Sequence, residues 1–167
     1  MNINENTYYQ MVREFHKVFN HAVAEQPTIM DVETALNRMS WDAEESLELL
    51  HASSETIQQF QDLYLKLLGN MKSTYEKLLK TEFPDDRLTA QVDALCDKEY
   101  FNQGSFVIMG VKPDRVVEAV HNSNMSKLWN GVPKFREEDG KIIKSDTFVS
   151  PEPMIKKEIE RQQVSSK

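Results

Sequence analysis

The sequence predicts an all-α fold, a helical bundle of about five helices with an irregular C-terminal extension. Three observations carry that expectation. Long stretches place apolar residues three and four apart, the period of a helix with one buried face. The six prolines and four of the five glycines of the 167 residues fall outside those stretches. Alternating, strand-like patterning is confined to a short region near the end.

The first segment, residues 7–24, spaces Val12, Phe15, Val18, Phe19 and Ala22 as one amphipathic face, and Gln26-Pro27-Thr28 ends it. Asp31 is placed to cap a second helix reaching His51, with Met30, Ala35, Leu36 and Met39 on its apolar side. Ser53-Ser54-Glu55 marks a break and restart. A long third helix over residues 55–82 then repeats Ile57, Phe60, Leu63, Tyr64, Leu67, Leu68 and Met71, and Pro84-Asp85-Asp86 stops it. A fourth helix over residues 87–103 carries Leu88, Val92, Leu95 and Cys96, and Pro113-Asp114 opens a short fifth one reaching Asn122. Beyond Met125 the character changes. Glu138-Asp139-Gly140-Lys141 reads as a turn between two extended pieces, a candidate hairpin, and a charged tail follows from Pro151 with at least one helical turn. The division expected is a domain over residues 1–150 and a tail over 151–167. No internal repeat is found.

Composition narrows the function. Asp and Glu number 27 against 20 Lys and Arg, a formal charge of −7, which argues against a duplex nucleic-acid partner. The longest apolar run, Phe106-Val107-Ile108-Met109, is far shorter than the ~20 residues of a membrane span. The N-terminal residues have neither the basic start nor the apolar stretch of a secretion signal. One cysteine, Cys96, suits a reducing compartment, so a cytoplasmic location is expected. As a lone thiol among carboxylates it reads as a small buried hydrophobe. His16 and His21 read as surface or core groups and not as ligands.

The carboxylates are grouped. Glu44, Glu45 and Glu48 fall within five residues of the second helix, three and four apart, and Asp93 and Asp97 repeat the four-residue spacing on the fourth, where Tyr100 continues the face. Two antiparallel helices turning these patches inward would offer five carboxylates to one site, and hard oxygen donors of that kind suit Mg²⁺ or Mn²⁺. The competing reading is a solvated acidic face, the commoner fate of charge runs.

The stretch Arg38-Met39-Ser40-Trp41-Asp42-Ala43-Glu44-Glu45-Ser46-Leu47-Glu48-Leu49 resembles the Arg…Glu-Glu-x-x-Glu-Leu signature of the all-α nucleoside triphosphate pyrophosphohydrolases, the MazG-like superfamily. Phe15-His16 and Pro27-Thr28 are similar to its phosphoribosyl-ATP pyrophosphohydrolase branch. Val92-Asp93-Ala94-Leu95-Cys96-Asp97 with Tyr100, then the run from Val120 to Lys127 and Asp139-Gly140-Lys141, follow in order over residues 13–151. The resemblance implies hydrolysis of a nucleoside triphosphate between its α- and β-phosphates. It implies Mg²⁺ (or Mn²⁺) held by Glu45, Glu48, Asp93 and Asp97, with Glu44 orienting or deprotonating the attacking water. It also implies assembly into homodimers or homotetramers, for which the apolar third helix is a candidate interface. The sequence departs from the pattern at Ala94, where the family commonly carries Glu three residues before the Asp, while Asp93 lies one residue further back.

On the phosphate side, Asn124 and Lys127 lie three apart just past the fifth helix, and Lys141 and Lys144 follow in the candidate hairpin; all four are expected to contact phosphate or sugar. Arg38 and Trp41 join the substrate-binding candidates. Trp41 could stack on a base, although core packing is the commoner role of such a residue. No Gly-rich phosphate loop of the Walker type is present. Two rivals stand. Glu48-Leu49-Leu50-His51 and Glu118-Ala119-Val120-His121 both match the Glu-x-x-His of di-iron helical bundles. A non-catalytic helical interaction module would leave the carboxylates solvated and indifferent to metal.

Overall fold

A computed structural model of the chain describes residues 7–138 and 140–165. Among them are six helices: α1 (Thr7–Val18), α2 (Val32–Ala52), α3 (Ile57–Leu78), α4 (Arg87–Met109), α5 (Asp114–Met125) and α6 (Glu152–Ser165). The all-α class holds. By contacts the chain divides into two units, residues 27–96 and a second made of residues 1–26 with 97–167, and α4 runs from one into the other.

The 27–96 unit is built on the α2–α3 pair. Asp31 caps α2 as expected: its Oδ1 accepts from Thr34 N at 2.9 Å and its Oδ2 from Thr34 Oγ1 at 2.7 Å. Asp86 treats the start of α4 identically through Thr89, at 3.0 and 2.6 Å. These bonds satisfy donors that a helix start would otherwise leave orphaned, and they hold both carboxyls below their usual range. α3 ends at Leu78, before the Pro84-Asp85-Asp86 stop, and Asp86 serves α4 instead. Gln91 on α4 ties down the approach to α2, accepting from Met30 N and donating to Met30 O, both at 2.9 Å.

In the other unit α1 packs on α5 and α5 on α6. α1 stops at Val18, short of the expected Ala24, because Asn20 takes a left-handed φ of 57° and His16 Nδ1–H bonds Ala22 O at 2.9 Å. Phe15 stacks on Phe19 at 4.4 Å and on His21 at 5.7 Å, and Phe19, 1% exposed, is the most buried side chain of the described residues. The two histidines thus belong to an aromatic cluster. α4 runs six residues past its expected end, through Gly104 to Met109, and Gly110 at φ 69° closes it.

Past α5 the hairpin exists in minimal form. Phe135 bridges Ile142, and Arg136 N and Ile143 N bond Lys141 O and Lys134 O, each at 2.8 Å. Buried Ser145 donates to Ser126 O at 2.7 Å, and Val149 N donates to Ser126 Oγ at 2.9 Å, which stitches this extension to the end of α5.

The charged tail forms α6. Arg161 grips Glu158 with two bonds of 2.7 Å, and Gln162 Nε2 reaches both Glu158 Oε1 and Lys112 O at 2.9 Å while its Oε1 accepts from Lys112 N at 2.8 Å. Arg161 first, then Gln162, pull the Glu158 carboxyl down to about 2. A carboxyl depressed in the folded state adds stability above its ordinary value near 4.5, and that stability is lost as pH falls toward 2. The protection of the Lys112 amide against hydrogen exchange, taken relative to its intrinsic rate at each pH, is expected to fall over that interval, and Glu158→Gln is expected to remove that pH dependence. A flat wild-type profile between pH 4.5 and 2 would refute this.

Candidate active site

Glu44, Glu45 and Glu48 ride on an uninterrupted stretch of α2. The serines in that stretch do not break it, because Ser40 Oγ donates to Leu36 O at 2.9 Å and Ser46 Oγ to Asp42 O at 2.7 Å, one turn back. Glu44, Leu47, Glu48 and His51, spaced i, i+3, i+4 and i+7, line an open groove with Phe60 of α3. The His51 ring meets Phe60 edge-on at 5.2 Å. Glu45 on α2 and Asp93 on α4 are exposed and do not line this groove. Asp97, one turn further along α4, is exposed and opens the other unit.

None of these five acids has a hydrogen-bond or ion-pair partner among the described residues. The structure brings Glu44 and Glu48 together on one groove. It does not gather three or more His, Cys, Asp or Glu side chains into a group able to hold a metal ion among the described residues. The five acids are exposed and unpaired among those residues, so their oxygens are open to water or a ligand. His121, the second histidine of the Glu-x-x-His pairs, lies 3.4 Å from Glu14 on α1.

Trp41 is 50% exposed and so is not a core residue of the chain; the Arg38 guanidinium stands 5.2 Å from its ring centroid. Cys96 is likewise exposed, against the expectation of burial.

The 1–26 and 97–167 unit holds the candidate lysines. Lys127 Nζ donates to Asn124 Oδ1 at 2.7 Å, which fixes the pair across the last turn of α5. Burial makes Lys127 less basic than usual, and the charge of Lys144 adds to the effect. Lys144, carried near by the Ser145–Ser126 stitch, lies 4.4 Å above the Phe148 ring. Lys141 is exposed in the hairpin, where its carbonyl takes the Arg136 N–H. Asn124 also lines a cavity of about 240 Å³ enclosed by α1, α5 and the second half of α4. The sequence reading missed this cavity. Its walls are mostly apolar, and the polar groups among them, Asn102, Gln103, His121 and Asn124, come from two helices that only the fold brings together.

Comparison with known proteins agrees with the fold. Residues 12–124 match the phosphoribosyl-ATP pyrophosphohydrolase family. A crystal structure described as "a putative NTP pyrophosphohydrolase", from Exiguobacterium sp. 255-15, is 37% identical. That likeness covers 98% of this chain and 100% of that one, with a TM-score of 0.92. No curated protein matches. No helix of the described residues is long and apolar enough to cross a membrane.

Proposed function

The chain belongs to the phosphoribosyl-ATP pyrophosphohydrolase family, hydrolases of acid anhydrides, and from that premise we propose that its substrate is a nucleoside triphosphate, cut between the α- and β-phosphates to give a monophosphate and pyrophosphate. The observation that carries this reading is the run Glu44-Glu45-x-x-Glu48 inside the matched region, exposed and without protein partners. Asp31, Asp86 and Glu158, by contrast, are engaged in caps or an ion pair.

In the proposed reaction Glu45, Glu48, Asp93 and Asp97 hold Mg²⁺, with Mn²⁺ as a substitute. When bound, the metal neutralises phosphate oxygens and lowers the pKa of water. Glu44 accepts a proton from the attacking water, a role open to a carboxylate with no cation beside it. Lys127 and Asn124 bind phosphate oxygens, and the desolvation of Lys127 strengthens its attraction for an anion. Lys144 and Lys141 add positive field from the hairpin, and Arg38 with Trp41 contributes a cation and a ring face to substrate binding. A nucleotide substrate and an exposed free thiol suit the cytoplasm. The acting form is a homodimer or homotetramer, with no nucleic-acid or membrane partner.

A panel of canonical and modified nucleoside triphosphates with Mg²⁺ tests the reading. Pyrophosphate and monophosphate are expected in equal amounts from at least one member, with turnover abolished by EDTA. Release of orthophosphate alone, or no turnover of any member, would overturn it.

A further inference from the structure

The cavity of the unit formed by residues 1–26 and 97–167 is unusual in its lining. Three helices each turn one stripe toward it: Tyr8 and Phe15 come from α1, Asn102, Gln103 and Phe106 from α4, and His121 and Asn124 from α5 among valines. Aromatic rings thus reach it from all three helices, and carboxamides from two. At about 240 Å³ it is smaller than the roughly 300–1,000 Å³ of pockets that enclose a whole drug-sized ligand, so it suits one flat ring system and not an entire nucleotide.

The amides are also partly committed. Gln103 Nε2 donates to Glu99 Oε1 at 2.7 Å, which leaves the Gln103 carbonyl as an acceptor. Asn124 Oδ1 accepts from Lys127 Nζ, which leaves the Asn124 amide N–H groups as donors. A purely aliphatic occupant would desolvate both without return. A planar heterocycle with donors and acceptors on its edge satisfies them and stacks on the rings. Asn124 is the link, since one side chain both lines the cavity and fixes the Lys127 ammonium.

We propose that this cavity seats the nucleobase of the substrate, on the Phe106 ring and against the Gln103 and Asn124 amides, with the phosphates leaving toward Lys127. The inference rests on the nucleotide reading above. It makes Gln103 and Phe106 determinants of base preference, separate from the groups that bind phosphate.

Calorimetric titration with the α,β-imido analogues of ATP, GTP, CTP and UTP, beside inorganic tripolyphosphate, all with Mg²⁺, tests it. The wild-type protein is expected to distinguish the four bases. Phe106→Ala and Gln103→Leu should each weaken the best-bound nucleotide about tenfold, the scale of one lost base stack or edge contact, and leave tripolyphosphate unchanged. Gln103→Leu removes polarity without opening a void, so it serves if Phe106→Ala unfolds. Variants that keep wild-type affinities, or that lose nucleotide and tripolyphosphate equally, would overturn the base site alone while pyrophosphate release continued. Failure of every nucleotide to bind the wild-type protein would overturn the base site and the nucleotide reading together.

Discussion

Changing Glu45 to glutamine is expected to lower pyrophosphate release by about a thousandfold, some 4 kcal/mol of transition-state stabilisation, without disturbing the fold. The carboxylate is exposed and bonded to nothing among the described residues, so folding does not depend on its charge. Asp42 and Glu48 lie three residues away on either side of it, and removing one of several like charges at that spacing relieves a small repulsion. Melting should therefore stay within about 0.5 kcal/mol of wild type, as surface changes do, or rise slightly. Metal linkage separates the roles further. Saturating Mg²⁺ should raise the melting temperature of the wild-type protein, because a ligand of the native state stabilises it, and raise that of Glu45→Gln less. Circular dichroism melts with Mg²⁺ and with EDTA, beside steady-state pyrophosphate assays, check both parts. Equal activity in the two proteins would remove Glu45 from the site.

Much of this was legible in the sequence for a local reason. Helix periodicity, the Asp-x-x-Thr caps at Asp31 and Asp86, and the turn before Lys141 each depend on residues within four positions of one another. Helix ends were less legible where a competing local bond decides them. At α1 the His16–Ala22 bond and the left-handed Asn20 end the helix while the apolar pattern continues. At α4 the tolerance of Gly104 carries the helix past a residue that reads as a break. In α6, contacts with Lys112, fifty residues away in sequence, organise a charged tail that has little amphipathic pattern of its own. Burial was the least legible property. Trp41 and Cys96 look like core residues by type, yet what covers a residue depends on which elements reach it. The acids of the candidate site were found by spacing, whereas the cavity at Phe15, Phe106 and Gln103 required three helices to converge.

The same dependence on covering elements gives the last expected result: placing carboxylates on α3 by the double change Leu68→Asp and Met71→Asp should abolish self-association. α3 carries two apolar stripes. Phe60, Leu63 and Leu67 are half-buried, spaced for one helix partner, and α2 is the helix that packs there. Tyr64, Leu68, Met71, Tyr75 and Leu78 form a second stripe at alternating four- and three-residue spacing, between 38% and 61% exposed. A two-helix pair has one internal seam and cannot bury a second, so that stripe requires another layer. A second copy of the same stripe supplies one by twofold symmetry, and two such hairpins make a four-helix bundle. Each buried Leu or Met contributes about 1.5–3 kcal/mol and is counted twice at a symmetric interface. Losing both side chains therefore removes at least about 6 kcal/mol, four orders of magnitude in dimer affinity, before the added charge repels. Light scattering should give the wild-type protein at least twice the 19.4 kDa chain mass and the variant the chain mass itself. The double variant should also melt lower at equal concentration, since assembly stabilises the fold by mass action. A wild-type protein that runs at 19.4 kDa across micromolar concentrations would leave the α3 stripe without a partner of its own kind and refute the interface.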